Sequence, residues 1–101
     1  ALPIFSVKIP QILTGDSTGK SQFRVKCDDF KTGSVKITVP DSFLYKQTGK
    51  ADITAAITAK SGNNIITPSN KVCVYNITTT NGLSAGCWSG SFNIGLTLTK
   101  E

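Results

Sequence analysis

The residues of this 101-residue chain best able to do chemistry are three cysteines, Cys27, Cys73 and Cys87, and six carboxylates; histidine and methionine are absent. A nucleophile needs a base to activate it, and the usual base is histidine. The carboxylates are Asp16, Asp28, Asp29, Asp41, Asp52 and Glu101. All fall in expected turns, on exposed strand positions or at the chain end, where aspartate is most simply a turn former. There is no phosphate loop and no dinucleotide fingerprint. These absences argue against an enzyme and against a bound cofactor. Zinc would need four ligands from three cysteines without close pairs. Calcium at Asp28-Asp29 or at Asp16 is weighed against ordinary turn acids, and the turn reading is preferred, so no metal site is expected.

Three cysteines in a small extracytoplasmic domain suggest one disulfide and one spare thiol. The preferred pairing is Cys73 with Cys87, which would close a short loop and hold Trp88. The alternative is Cys27 with Cys73, on the second and sixth strands, which carry the inter-sheet bridge of immunoglobulin domains. Either would contribute roughly 2–4 kcal/mol. The odd cysteine raises the prospect of a bridge to another chain. Two further patterns have bland readings. Asn76-Ile77-Thr78 matches a glycosylation acceptor, a short and frequent match. Lys8 and Asn93 could suggest an isopeptide bond, but both are expected to face outward with no acid placed to catalyse it.

The elements that must position these residues are strands. Period-two alternation recurs along the chain, broken by turn residues every eight to twelve positions. The first strand, about Phe5 to Leu13, turns Phe5, Val7 and Ile9 to one face, and Pro10 marks an edge or a bend. Phe23, Val25 and Cys27 point inward from the second, and Val35, Ile37 and Val39 from the third. Phe43, Leu44 and Tyr45 make a short crossover strand at a sheet edge. Lys50–Lys60 and Lys71–Ile77 form the fifth and sixth. The last strand is the clearest: Trp88, Phe92 and Ile94 are its core anchors, Leu96 and Leu98 continue the inward face, and Gly90 and Gly95 suggest a bulge or a close backbone approach. Seven strands without a helix predict a single all-β domain, an immunoglobulin-like β-sandwich spanning residues 1–101.

Composition agrees. Hydrophobic residues make up 39%, below the usual ~45–50%, and Thr, Ser, Asn and Lys fill the difference. The start Ala1-Leu2-Pro3 suits the mature end left by signal-peptide cleavage, so secretion to the medium or the cell surface is expected. No apolar run approaches the ~20 residues of a membrane-spanning helix. The net charge of +5 comes from lysines spread along the whole chain without a block. That favours solubility over specific nucleic-acid binding.

The stretch Leu83-Ser84-Ala85-Gly86-Cys87-Trp88-Ser89-Gly90-Ser91-Phe92-Asn93-Ile94 resembles the terminal signature, roughly L-x-A-G-x-W-x-G-x-F-N-[FI], of small secreted proteins from Gram-positive gut clostridia. The strand Gly33-Ser34-Val35-Lys36-Ile37-Thr38-Val39-Pro40 with the following Phe43, and Gly49-Lys50-Ala51-Asp52-Ile53-Thr54, are similar to other recurring pieces of that family. The resemblance implies a sandwich-like surface or secreted protein with no assigned activity. It implies nothing about the cysteines, where those proteins carry polar residues or glycine.

Two functions are expected from these readings. The first is structural: a subunit of an extracellular fibre or surface layer, self-associating through sheet edges, which recruit strands readily. The second is a binding or adhesion module for a host protein or glycan. Its site would be the polar loops Thr78–Gly86 and Ser61–Asn70, with Tyr45 and Tyr75 the only aromatics to consider for stacking on sugar. Polyanion binding through Gln22, Arg24 and Lys26, which share an outward face, ranks third.

Overall fold

The computed structural model describes residues 4–28 and 31–99. The expectations placed on Ala1-Leu2-Pro3, the Phe5 side chain, Asp29 and Glu101 lie outside what it describes. Eight strands follow one another: β1 (Ile4–Leu13), β2 (Lys20–Lys26), β3 (Ser34–Thr38), β4 (Ser42–Tyr45), β5 (Ile53–Ser61), β6 (Ile65–Ile66), β7 (Val72–Thr79) and β8 (Gly86–Thr99). One sheet has the order β1-β8-β3-β6 and the other β2-β7-β5-β4. Every pairing is antiparallel. The fold is the expected all-β sandwich.

Alternation sets which side chains meet. In β2, Ser21, Phe23 and Val25 turn in, while Lys20, Gln22, Arg24 and Lys26 are exposed. In β7, Cys73, Tyr75 and Ile77 are fully buried. In β8, Trp88, Phe92 and Ile94 are buried, Leu96 is half-buried and Leu98 is 57% exposed. Leu98 keeps the inward parity but stands exposed near the end of β8, which corrects its expected place in the core. Phe92 ties the layers together. Its ring centroid lies 5.2 Å from Phe23 and 5.0 Å from Phe43, and Phe23 stacks on Tyr75 at 5.0 Å. Such aromatic pairs add about 0.5–1.5 kcal/mol each beyond simple burial.

The strand order departs from an immunoglobulin domain at the strands expected to carry Cys27 and Cys73. There the second and sixth strands lie in opposite sheets. Here the corresponding strands, β2 and β7, are hydrogen-bonded neighbours with Val25 opposite Cys73. The strand Ile65–Ile66, absent from the seven-strand expectation, pairs with Val35 and Lys36 of β3.

Between β3 and β5 the chain changes layers twice. It leaves the first sheet at Val39-Pro40, enters the second as β4, and returns at Lys46. There Lys46 N–H donates to Ser89 O at 2.8 Å and Ser89 N–H to Lys46 O at 2.9 Å. Gly90 permits this. A Cβ at that position would overlap the Phe43 ring and come within 3.1 Å of Leu44 O. Gly90 is therefore a site of close approach, whereas at Gly95 a Cβ would meet only Thr38 Cβ at an ordinary 3.6 Å.

Candidate functional site

A sandwich has open edges, and edges recruit strands unless they are short, charged or covered. Four strands occupy edges here: β1, β6, β2 and β4. β6 has two residues and β4 has four, and β4 is tied down immediately afterwards by the Lys46–Ser89 bridge. β2 has seven residues but exposes Lys20, Arg24 and Lys26. β1 has ten residues, and its exposed face from Ser6 onward carries Ser6, Lys8, Pro10 and Ile12, with one charge among them. It is the longest edge, and Lys8 and Pro10 are the residues that guard it.

The hydrogen-bond parity of β1 follows from its partner. Ser89 directs its N–H and C=O to Lys46, and Cys87 N–H donates to Gln47 Oε1 at 2.8 Å. Both therefore point away from β1. Their partners across the ladder are Pro10 and Ile12, and by alternation Lys8 opposite Ser91 and Ser6 opposite Asn93 share that state. These four are non-hydrogen-bonded pairs, in which the β1 peptide groups face the free edge. Pro10 thus sits where its missing N–H costs the β1–β8 ladder nothing. Ser6, Lys8 and Ile12 present N–H donors outward, and all four residues present carbonyls.

Beside this edge lies a groove of about 680 Å³ lined by Lys8, Ile9, Pro10, Leu44, Lys46, Ser89, Gly90 and Ser91. It runs over the seam where β4 returns to β8. Leu44 is 43% exposed in it. Lys8 and Lys46 stand at its rim, and Lys46 pairs with Asp52 at 3.4 Å on an exposed surface.

The structure separates the expected cysteine partners. All three are free thiols. Cys73 is buried and faces in from the second sheet, its thiol donating to Gly62 O and Ile65 O at 3.4 Å each. Cys87 is exposed and shares the outward parity of Ser89 on the first sheet. One thiol points into the core and the other to the outer face, and the Cys73–Cys87 pairing is not formed. Nor is the Cys27–Cys73 alternative. Cys27 N–H bonds to Lys71 O at 3.0 Å, which makes Cys27 a diagonal neighbour of Cys73. Diagonal Cα atoms lie about 7–8 Å apart, beyond the 4.4–6.8 Å a disulfide usually spans.

Trp88 is 3% exposed, with its indole N–H donating to Ser84 O at 2.9 Å. Phe92 and Ile94 pack in the same core. Asp28 lies 3.9 Å from Lys26 with both side chains exposed, and Asp16 accepts the Ala85 N–H at 3.3 Å. Among the described residues no group of three metal-ligating side chains converges. Asn93 accepts from Ser6 Oγ at 2.9 Å on an exposed face. Asn76 is held mid-strand by Gln22 Nε2 at 3.0 Å.

Tyr45 and Tyr75 are 1% and 0% exposed, so neither can stack on a sugar. Burial pushes the Tyr75 hydroxyl up to about 12, with Cys73 adding to the shift. Burial also raises Tyr45, against an opposing hydrogen bond from Ser21. The loops that follow β5 and β7 lie at opposite ends of β7 and so do not form one binding end. The free peptide edge of β1 was only partly legible. Pro10 signalled an edge, but its length and parity depend on the β8 pairing.

Compared with known proteins, the chain matches no family model, no curated protein and no solved structure.

Proposed function

We propose that this protein is a non-enzymatic extracellular structural subunit, assembling into a surface fibre or layer by strand-edge pairing through β1. The observation that carries the reading is the ten-residue edge strand with one charge on its exposed face from Ser6 onward. Main-chain bonds from an added strand supply affinity in such pairing, and side-chain contacts supply register. Ile12, 79% exposed at the end of β1, provides apolar area beside the edge. The test is sedimentation and electron microscopy of the concentrated protein beside a Lys8→Pro variant. Pro10 already withholds one outward donor; the substitution deletes a second, leaving Ser6 and Ile12, and keeps the β1–β8 ladder bonds in place. Wild type is expected to form larger species and the variant to remain monomeric. A wild type that stays monomeric at high concentration would sink the reading.

A second reading, a secreted module binding a host protein or glycan, is favoured by the groove across the β4–β8 seam. It moves the contact from the loops to Leu44, Lys46 and Ser89. A pull-down signal that survives loop replacement and disappears in Leu44→Asp would support it over assembly.

A further inference from the structure

We infer that the outer face of β2 and β7 is a docking surface for an extended anionic polysaccharide, a linear sulfated or otherwise acidic glycan. The inference does not rest on the β1 edge. Lys20, Arg24 and Lys26 lie on one exposed face of one strand. Alternate residues of a strand are about 6.8 Å apart, so the three cations form a straight line of about 20 Å along the strand. A line of charges fits a linear ligand, whereas a compact anion would call for a convergent pocket. Among the described residues the one carboxylate within ion-pair reach of the line is Asp28, 3.9 Å from Lys26. Both side chains of that pair are well exposed, and such pairs contribute little.

The neighbouring row is neutral: Val74 and Val72 stand opposite Arg24 and Lys26, and hydrogen-bonding groups stand at the Lys20 end. Thr78 is opposite Lys20 and Asn76 opposite Gln22, and the shallow depression of about 390 Å³ between them is lined by Lys20, Gln22, Asn76 and Thr78 among others. Thr58 continues the row from β5, opposite Asn76. The hydroxyl and amide beside Lys20 and Gln22 suit sugar hydroxyls beside a sulfate or carboxylate, and the valines beside Arg24 and Lys26 suit the apolar faces of the sugar rings. Single-stranded nucleic acid is disfavoured, because it binds by stacking bases on aromatic rings. The aromatics of these two strands, Phe23 and Tyr75, are stacked on each other on the inner side.

The test uses the full chain and heparin as the probe, measured by titration at several salt concentrations. Three charge contacts predict a log–log salt slope of about −2, taking the single-strand coefficient for a linear polyanion. Replacing Lys20, Arg24 and Lys26 together by glutamine is expected to weaken binding at least tenfold. A control replacing Lys31, Lys36 and Lys50 removes the same charge elsewhere and is expected to change affinity less than threefold. Circular dichroism of both variants confirms that they fold. Equal losses in the two variants would reduce the effect to net charge and overturn the proposal. So would single-stranded DNA displacing heparin at equal charge concentration, which would assign the face to nucleic acid.

Discussion

Replacing Trp88 by alanine removes a buried indole and orphans Ser84 O, its hydrogen-bond acceptor. The expected cost is about 3–5 kcal/mol, read as a lowered urea midpoint at unchanged slope. Tryptophan emission that is red-shifted and open to quenchers in the folded wild type would contradict that placement. Tyr75 governs an alkaline limit. Its folded pKa is about 12 against an ordinary 10.0. Its stabilising contribution is therefore complete below pH 10 and is lost as pH rises through 12, because the unfolded chain releases the proton first. Denaturant midpoints should fall across that window, and Tyr75→Phe should flatten the fall. The same variant removes the donor to Asn64 Oδ1, a 2.7 Å bond, so it starts from lower stability at neutral pH. An equally steep fall in the variant would assign the effect to other groups. The thiols separate by access: alkylation of the native protein should label Cys87 first, and Cys73 only on unfolding.

At the level of the strand, proline substitutions along β1 should alternate in effect. Lys8 directs its N–H to the free edge, so Lys8→Pro should leave the fold largely intact. Ile9 pairs with Gly90 in the hydrogen-bonded phase of the ladder, so Ile9→Pro should cost about 1–3 kcal/mol, the penalty for a lost bond and an unpaired partner. Thermal melts of the two variants read the difference directly, and equal destabilisation would refute the parity of β1. The β4 excursion makes a second prediction. Gly90→Val forces a side chain into the Phe43 ring and should destabilise by about 1–3 kcal/mol, as overpacking does.

For the whole molecule, the kind of edge pairing decides the kind of assembly. Pairing β1 with β1 of a second copy is isologous and closes at a dimer, whereas a fibre needs β1 to meet a different edge. β2 is the worst candidate for that second edge because of its cations, and β4 the better one. Sedimentation should therefore show species beyond the dimer. Because strand-edge pairing rests on main-chain hydrogen bonds and not on the exposed free thiol of Cys87, the size distribution should be the same with and without reductant. Collapse to monomer on reduction would place the link at a cysteine and remove the strand edge from the account.

What the sequence determined by itself was the alternation. Lys20 to Lys26 and Gly86 to Ile94 each declare an inner and an outer face, because successive strand residues point to opposite sides whatever their partners. That periodicity was enough for an all-β sandwich and for the placement of Trp88, Phe92 and Ile94. It could not say which strands are neighbours, since alternation is the same in every pairing. Only the tertiary structure put β2 beside β7, which makes Cys27 and Cys73 diagonal neighbours, and set Cys87 on the outer face of one sheet while Cys73 faces the core from the other. Leu98 shows the same limit near the end of a strand: its parity is inward, yet it is exposed, because parity gives direction and burial also needs a facing layer. The free edge of β1 is of this kind too. Pro10 announced a break, but the direction of each peptide group along the strand was decided by Ser89 turning to Lys46, a contact between residues 43 positions apart.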